Sequence, residues 1–178
     1  MDLNELGAWL FQPGVRDIHR IETLDGYVSS GDEPHYTRWR QGLPVEVNDA
    51  WQTWLTKISQ DAAVGVTRRR VHVMTEPLTQ HNLFECGEQY TRNSAAGERI
   101  RVMTADPASR ARIQDFWVLD DQRVAVMIYD DAGRFQSAWT PEDPQPWVNL
   151  GWALWTGAEP FTSWWAARPQ YHGQRQVA

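Results

Sequence analysis

The fold is decided by one stretch, residues 70–103, which reads RVHVMTEPLTQHNLFECGEQYTRNSAAGERIRVM. It begins with an alternating pattern rich in β-branched side chains, which predicts a strand ending at Glu76-Pro77. A helix of about 15 residues is expected from Thr79 to near Gly97, and residues 99–103 predict the next strand. Because a strand, a helix and a strand in succession favour parallel pairing, the stretch predicts a βαβ unit.

Further apolar runs of strand length follow on the C-terminal side, at residues 116–119, 124–129 and 135–139. The segments between them are rich in Asp, and such segments are hairpin turn signals. Three antiparallel strands are therefore expected to extend the sheet. Beyond Pro141 the apolar spacing becomes helical again.

The N-terminal third of the chain shows apolar residues at helical spacing, most clearly at Trp51, Trp54 and Ile58. These patterns predict one α+β domain with a mixed sheet of about five strands. The expected parts are a helical N-terminal subregion (1–66), the mixed sheet core (67–140), Trp-rich C-terminal helices (141–168) and a polar tail (169–178).

Composition argues against several classes of function. Seventeen Lys and Arg residues against twenty-three Asp and Glu residues give a net charge of -6, which is unfavourable for general binding to nucleic acid or anionic membranes. The start of the chain lacks the basic region of a signal peptide, and no apolar run reaches the roughly 18 residues of a membrane span. A cytoplasmic location is expected, and the single cysteine, Cys86, excludes an internal disulfide.

Tryptophan is unusually abundant, with eleven residues in 178. The aromatic residues of the C-terminal segment cannot share a single helical face, since Trp164 and Trp165 are about 100° apart on a helix. Two interpretations stay open. The segment either lines a groove or contacts a partner, or it wraps broadly over the core.

No motif for a P-loop, a dinucleotide fold or a hydrolase elbow is present, and the five histidines show no metal-ligand spacing. Neither a metal nor another cofactor is expected. No set of nucleophile, base and orienting residue can be recognised, so the sequence does not indicate an enzyme. The candidate ligand-binding residues are five polar side chains that could supply acid-base groups and one aromatic residue: His72, Glu76, His81, Glu85, Asp115 and Trp117.

Two of these candidates have a positional argument. Glu76 follows the first predicted strand, and open parallel sheets bind ligands at the carboxyl ends of strands. The pair Glu76-Pro77 is explained equally well as a turn. Asp115 and Trp117 are two residues apart, so they are expected to share one face of their strand and to border the same pocket.

Several separate stretches of the chain carry a resemblance to a known family: RVHVMTEPL (70–78), Phe84-Glu85, YTRN (90–93), AGERIRV (96–102), DFWVLDD (115–121), and Pro160-Phe161 to Trp164-Trp165. Through them the chain resembles the actinobacterial domain-of-unknown-function family numbered 6879 over nearly its whole length. The resemblance implies a gene often found beside helix-turn-helix regulators, and no assigned activity.

A weaker resemblance is to the phospholipase D-like fold. The catalytic HxKxxxxD spacing of that fold falls on Ile113, Asp115 and Asp120. Isoleucine and aspartate cannot replace the nucleophilic histidine and the phosphate-binding lysine. The resemblance therefore implies a catalytically dead relative.

The first functional hypothesis is a non-catalytic accessory or regulatory protein that binds a protein partner, such as a helix-turn-helix regulator, through a Trp-rich surface. The alternatives are a small enzyme of specialised metabolism and a small-molecule sensor, either one using a Trp-lined pocket.

Overall fold

A computed structural model describes residues 1–27 and 33–173 of the chain. Residues 28–32 of the predicted N-terminal subregion and residues 174–178 of the predicted tail lie outside the described residues. The helices are α1 (Leu3–Leu10), α2 (Glu33–Arg40), α3 (Asp49–Ala63), α4 (Gln80–Phe84), α5 (Thr91–Ala96), α6 (Pro107–Arg110), α7 (Gln145–Gly157) and α8 (Phe161–Ala166). A π-helical turn (Glu85–Tyr90) joins α4 to α5, and a 3₁₀ turn (Pro169–Tyr171) follows α8.

The strands form one mixed sheet in the order β6-β5-β4-β1-β2-β3-β7. They are β1 (Asp17–Glu22), β2 (Thr67–Met74), β3 (Arg99–Thr104), β4 (Phe116–Leu119), β5 (Arg123–Tyr129), β6 (Phe135–Trp139) and β7 (Glu159–Pro160). The three central neighbours β1, β2 and β3 are parallel, and all other pairs are antiparallel. The α+β class and the mixed sheet are confirmed. The number of strands was predicted wrongly, because β1 and β7 had not been recognised.

Strand β1 corrects the prediction that residues 1–66 are helical. It pairs in parallel with β2 and antiparallel with β4, so it lies at the centre of the sheet. Its sequence DIHRIE has charged residues, Arg20 and Glu22, on one of its two faces. A central strand is normally apolar on both faces, so a segment with these charged residues is not predicted as a central strand from its sequence. The polar face turns out to line a cavity.

The hairpin prediction for residues 116–129 is confirmed. Trp117 of β4 lies opposite Ala125 of β5. The turn residues Asp120 and Asp121 have φ angles of 53° and 54°, the left-handed conformation that two-residue hairpin turns require and that Asp tolerates. The predicted third strand, β6, pairs with β5.

The two faces of the sheet have separate cores. On one face Val71 and Val73 of β2 pack with Val148 and Leu154 of α7. On the other face Met74 packs with apolar residues of the α4–α5 region and of α8. Helices α1, α3, α4 and α5 all cover this second face, and between them its centre is polar.

The helical segment between β2 and β3 has the extent that the sequence predicts. The Thr79 side chain caps its start by accepting a hydrogen bond from Asn82 N, at 3.2 Å. Gly97 ends it with a φ of 117°, a conformation that favours glycine. Among the described residues no helix has both the length and the apolar character needed to cross a bilayer.

Candidate ligand-binding cavity

A cavity of about 1050 Å³ lies between the polar face of the sheet and the helices that cover it. Its floor comes from β1 and β2, one wall from the α4–α5 segment, and the opposite wall from α1 and strands β4 to β6. Residues of α2 and of the first turns of α3 complete its lining.

The floor is a buried network of ion pairs centred on Glu22, whose side chain is 1% exposed. Arg20 and Arg70 contact its carboxylate at 2.6 Å and 2.8 Å, and Arg70 also contacts Glu98 at 3.0 Å. Burial alone would raise the pKa of Glu22, but the two guanidiniums lower it to about 2. The floor therefore has fixed positive and negative charges side by side.

The α4–α5 wall is a row of polar residues spaced four apart: His81, Glu85, Gln89 and Asn93. In a regular α-helix each residue turns about 100°, so a spacing of four drifts by about 40° at every step. The π-helical turn at residues 85–90 is wider and turns less per residue, which reduces the drift. All four side chains consequently face the cavity.

His72 and Tyr90 connect this wall to the floor. His72 Nε2 lies 2.9 Å from the carbonyl oxygen of Leu24, which can only accept, so Nε2 carries a proton and donates it. The Tyr90 hydroxyl is 2.7 Å from His72 Nδ1 and 3.1 Å from Glu22 Oε2. The hydroxyl has one proton, so it donates a hydrogen bond either to His72 Nδ1 or to Glu22 Oε2. If it donates to Glu22, Nδ1 of His72 must carry a proton in order to donate to the hydroxyl oxygen.

Glu85 stands at the junction of the wall with His72. Its side chain is 4% exposed. The nearest side-chain nitrogens are those of Asn82 at 3.4 Å, His81 at 3.5 Å and His72 at 3.7 Å. Each of these distances is longer than a usual charge-assisted hydrogen bond of about 2.7–2.9 Å.

The opposite wall is apolar and aromatic. Trp117 lies beneath the guanidinium of Arg20, with 4.9 Å from Cζ to the ring centroid, and Tyr27 is 5.6 Å from the same guanidinium. Leu6, Met127 and Phe135 extend this surface. The cavity thus offers ionic groups on one side and an apolar surface on the other.

Asp115 acts on the cavity through Tyr27. Its carboxylate accepts hydrogen bonds from the Thr23 amide at 2.9 Å, the Thr23 hydroxyl at 2.6 Å and the Tyr27 hydroxyl at 2.5 Å. Burial raises the pKa of Asp115 more than these hydrogen bonds lower it. Asp115 therefore holds the segment after β1 in place and orients the ring of Tyr27, which lines the cavity.

Comparison with known protein families matches residues 7–166 to the model of a domain of unknown function, DUF6879. The chain belongs to this family. No curated protein and no solved structure matches it. The matched segment covers every residue of the cavity except Asp2, Leu3 and Leu6, so nearly the whole cavity lies within the family domain.

The structure brings together five of the six residues that the sequence proposed. His81, Glu85 and Trp117 line the cavity, while His72 and Asp115 contact residues that line it. Glu76 does not line the cavity. Its carboxylate instead accepts a hydrogen bond from Arg168 Nε at 2.7 Å.

Sequence reasoning missed the charged floor, including Arg20, Glu22 and Arg70. The run Arg68-Arg69-Arg70 enters β2 with alternate side chains on opposite faces of the sheet. It does not form a solvated edge, since Arg68 pairs with Asp61 and Arg70 with Glu22. The four-residue spacing of His81, Glu85, Gln89 and Asn93 was the available signal for the wall.

The positions that the phospholipase D-like resemblance aligns do not form a common site. Asp115 contacts Thr23 and Tyr27, whereas the Asp120 carboxylate accepts the amides of Arg16 and Asp17 near the start of β1. Within residues 1–27 and 33–173, no group of three or more His, Cys, Asp or Glu side chains has an arrangement suited to a metal ion.

The C-terminal aromatic segment mainly wraps the core. Trp164 is fully buried and stacks on Trp165, while Trp152 and Trp155 pack on His19. Of the two interpretations of this segment, the structure favours the core wrap.

Proposed function

We propose that this protein binds a small amphipathic molecule in the cavity, as a non-catalytic sensor or accessory protein. The observation that carries the proposal is the pairing of a charged floor with an apolar wall in one cavity of about 1050 Å³. Small-molecule sites are typically concave, about 300–1,000 Å³ in volume, and lined by apolar surface with a few well-placed polar groups.

The cavity supports binding better than catalysis. The charged side chains of its floor are already held in ion pairs, as Arg70 is by Glu22 and Glu98. Cys86 is a poor nucleophile, because burial and the neighbouring Glu85 raise the pKa of its thiol. An enzyme of specialised metabolism is for these reasons the weaker proposal.

A regulatory protein partner is a second proposal. The net charge of -6 suits a basic partner such as a helix-turn-helix regulator. The exposed side chains of Ile128 and Trp139 on neighbouring strands offer a contact surface. In this proposal the partner responds to occupancy of the cavity.

The finer features suggested by the sequence stay proposals as well: an actinobacterial source, a cytoplasmic location, and descent from a phospholipase D-like fold. A degenerate fold of this kind is expected to show no turnover of generic phosphodiester substrates.

The proposal is tested by a ligand-observed NMR screen of small-molecule fragments against three proteins: the native chain, Ala50→Trp and Ala63→Trp. Ala50 lies on α3, is exposed and lines the cavity, so a tryptophan there obstructs it. Ala63 is exposed on the same helix away from the cavity and serves as the matched control.

Fragments that bind the native chain and Ala63→Trp, but lose at least tenfold in affinity for Ala50→Trp, are the expected result. The proposed function is wrong if no fragment distinguishes the two variants.

A further inference from the structure

Among the described residues, Glu85 is the buried charged group of the cavity with the longest polar contacts. No Arg or Lys nitrogen among the described residues lies within 4 Å of it, and its nearest side-chain donor is 3.4 Å away. A buried carboxylate that has lost its water normally accepts several short hydrogen bonds. The floor shows this ordinary arrangement, since Glu22 has two guanidiniums at 2.6 Å and 2.8 Å.

The charges around Glu85 favour a cation rather than an anion. In the floor, Arg20 and Arg70 are balanced by Glu22 and Glu98. The carboxylate of Glu85 adds negative charge that no Arg or Lys among the described residues balances, and its nearest basic groups are the imidazoles of His81 at 3.5 Å and His72 at 3.7 Å. An anionic ligand head would be repelled here, whereas a cation would gain a counter-ion in a poorly solvated place.

The neighbouring side chains favour an organic cation over a metal ion. Both ring nitrogens of His72 are already in hydrogen bonds, to Tyr90 and Leu24, so among the described residues only His81 and Glu85 remain as possible metal ligands at this place. Two ligands are fewer than the three or four protein ligands of a typical zinc site.

Aromatic rings lie beside the two histidines that face Glu85. The ring centroid of Tyr27 is 6.3 Å from that of His72 and 6.4 Å from that of His81, and Tyr36 is 5.2 Å from His81. Aromatic faces attract ammonium groups through their quadrupoles, and more strongly where water is excluded.

We infer that this end of the cavity binds the protonated amine head of the ligand, with Glu85 as its counter-ion. The apolar wall of Leu6, Met127 and Phe135 takes the rest of the molecule. The inference rests on the proposed function and names the ligand class of the same cavity.

The test uses three probes of similar size that differ in charge: 2-phenylethylamine, 2-phenylethanol and phenylacetate. Their affinities for the native chain are compared by isothermal titration calorimetry or ligand-observed NMR, which needs no variant to fold. The same probes are then measured on Glu85→Gln and on Glu88→Gln. Glu88 is three residues away, pairs with Arg92 and does not line the cavity.

We expect the amine to bind the native chain at least tenfold more tightly than the alcohol or the acid. Glu85→Gln should lose at least tenfold of the amine affinity, and Glu88→Gln should stay within about twofold. Equal affinities for the three probes, or an amine affinity unchanged in folded Glu85→Gln, would overturn the inference. If the amine does not bind while other fragments bind in an Ala50-dependent way, the inference fails and the proposed function stands.

Discussion

At the scale of single residues, two buried titratable side chains, His19 and Asp115, affect the stability of the protein in different ways. His19 of β1 lies on the face of the sheet opposite the cavity, between the rings of Trp152 and Trp155. Its Nε2 has no hydrogen-bond partner among the described residues. Burial, assisted by the positive charge of Arg69, lowers the pKa of His19 from 6.5 to about 4.

This shift makes stability depend on pH. The unfolded chain takes up a proton at His19 below pH 6.5, whereas the folded chain resists protonation until about pH 4. The contribution of His19 to the free energy of unfolding is therefore fully present above pH 6.5 and is lost as the pH falls towards 4. The total loss is about 3 kcal/mol, because each pKa unit corresponds to about 1.4 kcal/mol. His19→Phe should remove this loss, as measured by urea unfolding between pH 7 and pH 4. The control is His172→Gln at an exposed position, and parallel curves for His19→Phe and the native chain would contradict the prediction.

Asp115 shows how a buried acid positions a neighbour. Asp115→Ala leaves the Thr23 amide, the Thr23 hydroxyl and the Tyr27 hydroxyl without their acceptor. We expect it to lower the free energy of unfolding by about 3 kcal/mol, since each orphaned buried donor costs about 1–3 kcal/mol. Asp115→Asn keeps one acceptor oxygen and should lose about half as much. Equal denaturant midpoints for Asp115→Ala and the native chain would rule out this role.

At the scale of elements, the π-helical turn decides which side chains reach the cavity. It is inserted between α4 and α5, and it keeps Glu85 and Gln89 on the same side as His81 and Asn93. π-helical turns occur frequently at functional sites, which agrees with the position of this one.

Gly87 offers a direct test of this element. It is exposed, and no atom lies within 4 Å of the place where a Cβ would stand. Deleting Gly87 removes one residue of the turn, so the helix beyond it rotates by about 100° relative to His81 and Glu85. We expect a loss of at least about 3 kcal/mol of stability, because buried Tyr90 is displaced. We also expect fragment binding to be lost.

The matched control is Gly87→Ala, which keeps the register. It should stabilise the protein by about 0.5–1 kcal/mol, since alanine loses less backbone entropy than glycine in a helix. Thermal unfolding followed by circular dichroism measures both variants. A deletion as stable as Gly87→Ala would show that the wider turn is not required.

At the scale of the whole molecule, the sheet carries an apolar core on one face and an ionic network at the centre of the other. The network links strands β1 and β2 through Glu22 and Arg70, and reaches Glu98 just before β3. Buried ion pairs contribute little net stability over apolar replacements, but breaking one is costly because a buried charge is left alone.

Arg70→Met tests this arrangement. We expect it to lower the free energy of unfolding by about 3–5 kcal/mol, because Glu22 and Glu98 lose a shared partner. Adding Glu22→Gln should recover part of this loss, which a double-mutant cycle by urea unfolding measures. Arg99→Met at the exposed start of β3 serves as the control and should change stability by less than about 0.5 kcal/mol. Strict additivity of the Arg70 and Glu22 substitutions would refute the coupling.

The sequence by itself determined the elements that have a clear local pattern. The α1 and α3 helices show apolar residues at helical spacing, whereas β2 and the β4–β5 hairpin show strand-length runs that end at turn signals. The helical segment from Thr79 to Gly97 lies between a capping residue and a glycine. Among the site candidates, His72, His81, Glu85, Asp115 and Trp117 lie on or beside these elements and at or next to the cavity, and their role in binding stays a prediction.

Tertiary structure alone decided the centre of the sheet and the floor of the cavity. Strand β1 places Arg20 and Glu22 on a face that would normally be apolar, and these charges are stable there because distant residues such as Arg70 and Tyr129 surround them. A local pattern carries no information about partners about 50 residues or more away, so it cannot distinguish a solvated charge from a paired buried one.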